Sequence, residues 1–214
     1  MRRGCFVTFE GVDGCGKSSQ ADLLAKRLLG EGFKVLCTRE PGGAPIAEKI
    51  RELLLDAAHG EMVDECELLL YLAARAQHVK EKILPALQSD SIVICDRFQE
   101  ATFAYQGFGR QIPCEILRRM NSFATRDLTP DLTFIFDLPV EAAFTRLASM
   151  KKPRDRLEEG GGEFFERIRN GYLTLAANDP DRIIVFDGTL PLGTLAERVY
   201  LKTAEKLKRG VFFR

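Results

Sequence analysis

The sequence carries no net charge: 31 Lys and Arg stand against 31 Asp and Glu in 214 residues. A chain built for a nucleic-acid duplex or an anionic membrane surface carries an excess of cations. No nucleic-acid or membrane partner is therefore expected. Long apolar runs are missing as well. The longest, residues 68–74, falls far short of the roughly 18 residues that a membrane-spanning helix needs. Arg2 and Arg3 precede only the short run 5–9, which is broken at Thr8 and closed by Glu10, so no secretory or twin-arginine signal is expected. The six cysteines (5, 15, 37, 66, 95 and 114) lie at least ten residues apart, which leaves no CxxC pair for zinc or thiol redox chemistry. Reduced, mostly buried thiols in a cytoplasmic protein are the expectation. Internal repeats and low-complexity linkers are absent too, and 45% hydrophobic with 29% charged residues is ordinary globular composition. One domain over residues 1–214 is expected.

What is present is an alternation. Short β-branched or aromatic runs at 5–9, 34–38, 92–95, 132–137 and 183–186 read as strands. Helical stretches lie between them at about 17–30, 45–57, 63–88, 113–125, 139–149, 163–178 and 192–208. The strands are continuously apolar, as in a parallel sheet covered on both faces. Such a pattern predicts an α/β fold with a doubly wound, five-stranded parallel sheet and ligands at the carboxyl ends of the strands. The most loop-like interior stretch is 151–162, with four cations among Lys151–Arg156 and three glycines at 160–162.

Between the first strand and the first helix stands Gly11-Val12-Asp13-Gly14-Cys15-Gly16-Lys17-Ser18, a match to G-x-x-x-x-G-K-[ST] in the context that the motif requires. Its glycines let several backbone N–H groups converge on phosphate oxygens, and the helix that follows adds its positive end. Lys17 is suited to neutralise the β- and γ-phosphates of a nucleoside triphosphate, and the Ser18 hydroxyl to ligate Mg²⁺. Gly11 to Ser19 is thus the expected ATP-binding stretch. Cys15 either fills the space of a small residue or, near a helix N-terminus, has a lowered pKa.

A phosphate loop identifies a nucleotide, not a reaction. The N-K-x-D motif of a guanine-specific switch is missing, since none of Asn121, Asn170 and Asn178 is followed by lysine. Transfer between two phosphorylated ligands needs cations converging from several segments, because donor and acceptor are both anions. Three segments qualify: Thr38-Arg39-Glu40-Pro41-Gly42-Gly43, Asp96-Arg97-Phe98, and Lys151-Lys152-Pro153-Arg154-Asp155-Arg156. Tyr71 and Arg75, four apart on a predicted helix, share one face and can act on one planar ligand.

In order along the chain, residues 9–18, residues 38–43, Tyr71-Leu72-Ala73-Ala74-Arg75-Ala76-Gln77-His78, Asp96-Arg97-Phe98, Ala104-Tyr105-Gln106-Gly107 and Pro130-Asp131-Leu132 resemble the thymidylate kinase family. The resemblance implies the phosphate-loop fold of nucleoside monophosphate kinases and transfer of the γ-phosphate of ATP to dTMP with Mg²⁺. It also implies a homodimer. Carried over residue by residue, it implies that Tyr71 stacks on thymine, Arg75 bonds a base oxygen and Arg97 binds the acceptor phosphate. Tyr105 crowds the sugar 2′-carbon, and Arg39, Thr102 and Gln106 complete the dTMP site. Asp96 organises the metal and its water, and Asp13 lies near the acceptor sugar or the metal. Residues of about 150–162 resemble the family's lid. Because the phosphate loop here has no arginine, the resemblance is to members whose catalytic arginines lie in that lid, with Arg154 and Arg156 joining Lys17 and Arg97.

Overall fold

The computed structural model describes residues 4–149, 156 and 161–209. Five strands, β1 (Phe6–Glu10), β2 (Val35–Arg39), β3 (Ile92–Asp96), β4 (Leu132–Asp137) and β5 (Ile183–Asp187), form one sheet in the order β2-β3-β1-β4-β5. Every neighbouring pair is parallel, with Phe9 opposite Asp96 on one side and Phe134 on the other. The predicted strands are all present, each within a residue of its expected limits. All five residues of β1 are buried, whereas the edge strands β2 and β5 are partly exposed, because an edge strand has a neighbour on one side only. Phe9, Phe134, Phe136 and Phe186 form an aromatic seam along the middle of the sheet.

The helices are α1 (Lys17–Gly30), α2 (Pro45–Leu55), α3 (Asp64–His78), α4 (Leu84–Gln88), α5 (Gln99–Thr102), α6 (Cys114–Thr125), α7 (Val140–Ser149), α8 (Gly161–Asn178) and α9 (Leu192–Arg209). The single helix expected over 63–88 is a continuous helical run, but a π-helical turn at Val79–Ile83 separates α3 from α4. Pro85 explains the turn: it has no N–H and its ring crowds the preceding turn, so the helix widens there.

One helical segment was missing from the sequence reading. Residues 99–109 form α5 and then a π-helical stretch at Phe103–Gly109. Gly107 and Gly109 carry little helix propensity, and no helix was expected over this stretch. Packing against α8 shapes it instead: a Cβ at Gly109 would lie 2.7 Å from the Phe164 ring, and one at Gly171 2.7 Å from Phe108. Of the expected lid, only Arg156, Gly161 and Gly162 are among the described residues, and the two glycines belong to the first turn of α8. Arg154, Lys151 and Lys152 lie outside them.

Candidate nucleotide-binding and phosphoryl-transfer site

The central strand β1 has β3 on one side and β4 on the other, so the loop after it opens at a topological switch point. Gly16 caps α1 at φ 92°, and Gly14 has φ 83°, both in the left-handed region that glycine adopts without strain. Gly14 has a second reason: its Cβ would lie 2.8 Å from the Ala143 carbonyl oxygen. Cys15 is buried, and burial pushes its thiol pKa up despite Lys17 nearby, so the lowered pKa suggested by a helix N-terminus is not realised. Only half of the cysteines are buried: Cys5, Cys15 and Cys95 are, while Cys37, Cys66 and Cys114 are exposed, and none of the six forms a disulfide.

Lys17 Nζ donates to Asp13 Oδ1 at 3.0 Å, and Arg97 Nη2 donates to the same oxygen at 2.7 Å. The other carboxylate oxygen, Oδ2, accepts from the Tyr105 hydroxyl at 3.1 Å, and that hydroxyl accepts from Arg97 Nη2 at 2.9 Å. Burial opposes ionisation of Asp13, but the charges of Arg97 and Lys17 outweigh it and hold the carboxyl well below the usual carboxylate range. Asp13 thus resolves the electrostatic question that a carboxylate in a phosphate loop raises, since two cations accompany it. Arg97 follows β3 at φ 69°, which costs a non-glycine residue roughly 1–2 kcal/mol. Its N–H donates to the Phe9 carbonyl at 3.0 Å, which ties the turn to β1.

Beside this cluster is a cavity lined by Asp13, Tyr71, Arg75, Arg97, Thr102, Tyr105 and Gln106. Seven of the eight residues expected at the dTMP site are therefore together. Arg39 is the exception. Its guanidinium forms a two-point pair with Glu48 at 2.8 and 2.9 Å, and it lines a different cavity, next to Ser18 and Asp96. A third arginine of the first cavity is Arg51 of α2, whose Nη1 donates to the Pro41 carbonyl at 2.9 Å. Arg51 was missed in the sequence because it stands in an ordinary amphipathic helix with no motif around it.

Arg75 is the largest of the fully buried side chains. Its Nε donates to Glu40 Oε2 at 2.7 Å, its Nη1 to Thr102 Oγ1 at 2.7 Å and Asn121 Oδ1 at 2.5 Å, and its Nη2 to the Phe98 carbonyl at 2.9 Å. Those bonds use four of the five donors of a guanidinium, which fixes its plane. Glu40 also bonds His78 Nδ1 at 2.9 Å. Burial raises the Glu40 carboxyl, but Arg75 and His78 overcome this and leave its pKa below the ordinary value.

Ser18 donates a short hydrogen bond to Asp96. The pair offers two hard oxygens at the start of α1. Among the described residues no cluster of three or more His, Cys, Asp or Glu fit to hold a metal is found, so an ion here would take its remaining ligands from phosphate and water, the usual habit of Mg²⁺. Asp13, with both oxygens already engaged, is the less available ligand.

Arg156 is buried. Its Nη2 donates to Glu67 Oε2 at 2.6 Å and its Nε to the Leu54 carbonyl at 3.2 Å. Glu67 also accepts from Gln106 Nε2 at 2.8 Å and from Arg110. Another arginine missed in the sequence, Arg146 of α7, donates to the carbonyls of Gly14 and Gly188 at 3.3 and 3.1 Å, joining the phosphate loop to the segment after β5.

A phosphate loop that faces a cavity lined by three arginines defines a nucleotide kinase whose acceptor is itself an anion. The family model for thymidylate kinase matches residues 9–199. A thymidylate kinase of Geotalea daltonii is 50% identical over 191 residues, 86% of this chain and 89% of its own length. One from Pseudomonas fluorescens is 47% identical over 196 residues, 92% and 93% of the two chains. The crystal structure of thymidylate kinase from Ehrlichia chaffeensis superimposes with a TM-score of 0.75 at 34% identity, covering 95% of this chain and 98% of that one. The chain belongs to the thymidylate kinase family.

Proposed function

We propose that this protein transfers the γ-phosphate of ATP to dTMP, giving dTDP and ADP, as a single phosphate-loop kinase domain. The observation that carries the reading is the cavity in which Arg51, Arg75 and Arg97 meet Tyr71, Thr102, Tyr105 and Gln106 beside Asp13 of the phosphate loop. An uncharged nucleoside would not need three arginines, whereas a monophosphate approaching a triphosphate does. Tyr71 offers a ring face to a base, and Arg75, held by four bonds, keeps one Nη2 hydrogen for a base carbonyl.

The acceptor is an anionic oxygen, so no general base is needed and catalysis is positioning with charge neutralisation. Lys17 and Arg97 now share Asp13. Phosphate oxygens would replace Asp13 as partner to Lys17, and the acceptor phosphate would take up the Nη2 edge of Arg97 that Asp13 and Tyr105 now occupy. Ser18 and Asp96 would hold Mg²⁺, which when bound neutralises the β- and γ-oxygens. From the lid we assign Arg154 and Arg156 to the charge of the transferring group, Arg156 exchanging Glu67 for phosphate. Arg39 belongs with the metal side of the site, beside Asp96 and Ser18.

The reading includes a homodimer. Leu69 on α3 and Ile116 and Phe123 on α6 are exposed, Phe123 to 89%, an apolar surface suited to a second copy of the chain. It also includes a cytoplasmic location, to which six cysteines without a disulfide are suited. Formation of ADP from ATP and Mg²⁺ should depend on dTMP. Stimulation by thymidine but not dTMP would point to a nucleoside kinase, and turnover without any acceptor to an ATPase. Either result would overturn the proposal.

A further inference from the structure

Tyr172 lies within α8, enclosed by the core, and lines neither the phosphate loop nor the acceptor cavity. Its hydroxyl donates to Glu10 Oε2 at 2.9 Å and accepts from Arg97 Nη1 at 3.1 Å. Glu10 is fully buried and is the last residue of β1, immediately before Gly11. Its other oxygen accepts from the N–H of Phe98 at 2.7 Å. One carboxyl thus ties together the start of the phosphate loop, the residue after Arg97 and the helix that follows the lid.

The guanidinium of Arg97 has two edges with different neighbours. Nη2 bonds Asp13 and Tyr105, both in the cavity lining, where a bound phosphate competes for the same hydrogens. Nη1 bonds the Gly11 carbonyl at 3.1 Å and Tyr172, neither of which lines the cavity. Tyr172 is therefore the hydroxyl that grips Arg97 from behind, irrespective of what fills the front. Burial, with Glu10 adding to it, pushes the phenol pKa well above its ordinary value, so the donor stays protonated.

We infer that Tyr172 is a positioning residue for phosphoryl transfer: its hydroxyl, anchored on the Glu10 carboxyl, pins the Nη1 edge of Arg97 together with the Gly11 carbonyl so that the Nη2 edge stays aimed at the acceptor phosphate. The inference rests on the proposed kinase reading. Arg97 leaves the backbone at a left-handed φ and carries a long, rotamer-rich chain, so a second fixed point is what converts a tethered charge into an oriented one.

The test is steady-state kinetics of two variants that keep the ring: Tyr172→Phe, and 4-aminophenylalanine in place of Tyr172, whose amine still donates to Glu10 but accepts poorly from Arg97. In both, kcat should fall about 10-fold, with KM for dTMP changed less than about 3-fold and Tm within about 4 °C of the wild type. In an Arg97→Lys background the same replacements should cost less than about 2-fold, because they act through Arg97. If one variant fails to fold, the other carries the test. An unchanged kcat in either folded variant, or an equal loss with and without Arg97, overturns the inference. A wild-type enzyme without dTMP-dependent turnover would instead sink the kinase reading and this inference with it.

Discussion

Arg75 Nε and Glu40 Oε2 are 2.7 Å apart, with side chains only 1% and 3% exposed. One comes from the last turn of α3, the other from the turn after β2, 35 residues earlier in the chain. An ion pair this enclosed is justified by what surrounds it: Thr102, Asn121, Phe98 and His78 complete its hydrogen bonds. The pair holds Arg75, an arginine of the cavity lining, in a single orientation.

Breaking the pair therefore affects stability as well as binding. Arg75→Ala should lower folding stability by about 3–5 kcal/mol, since it leaves Glu40 buried with His78 alone. Urea unfolding checks this. Asn121→Ala removes one acceptor from Arg75 and leaves the ion pair intact, so its stability cost should be about 1–3 kcal/mol while KM for dTMP rises. An Asn121→Ala enzyme with wild-type KM would remove Asn121 from the support of the base site.

The buried carboxyl of Glu10 makes stability depend on pH. Burial, and then Glu100, raises its pKa to about 8, against the lowering effects of Arg97, Phe98 N–H and Tyr172. Between the ordinary glutamate pKa and about 8, the folded state holds a proton that the unfolded state has released. Stability from this group therefore falls as pH rises through that window, by up to about 1.4 kcal/mol per unit. Glu10→Gln should flatten the dependence measured by urea unfolding at pH 6, 7 and 8. Equal slopes in the two proteins would contradict the assignment.

Arg156 and Glu67 can be separated by substitution. If Arg156 reaches the transferring group, Arg156→Ala should lower kcat by about 10²-fold or more. Glu67→Gln keeps a partner for Gln106 but releases the charge of Arg156, and its kcat should stay within about 3-fold of the wild type. Equal losses in the two variants would make Arg156 a partner of Glu67 and nothing more.

The thiols give a check on the phosphate loop. Cys15 is buried with a raised pKa, so iodoacetamide at neutral pH should leave it unmodified in the folded protein and label it after unfolding. Peptide mass spectrometry distinguishes the two states. Rapid labelling of Cys15 in the native enzyme would mean that the loop is open to solvent.

Legibility in the sequence followed the range of the interactions. The strands, the phosphate loop and the Tyr71–Arg75 face of α3 were all apparent because each rests on contacts within a few residues: apolar runs, glycines at fixed spacing, a four-residue helical step. The Phe103–Gly109 segment was not, because its glycines carry little helix propensity and its packing partners, Phe164 and Gly171 of α8 among them, lie far along the chain. Arg51 and Arg146 carry no local signature, and Arg39 shows the converse, a residue in a strong motif that turns to Glu48 and away from the cavity. By itself, the sequence determined that a nucleotide phosphate would sit at the end of β1, since a strand, a glycine turn and a helix N-terminus create that site wherever they are joined. Only the tertiary structure decided which cations line the cavity beside the phosphate loop and which carboxylate each one meets, because a charge's partner is set by which strands and helices the fold brings within about 3 Å, the reach of a hydrogen bond.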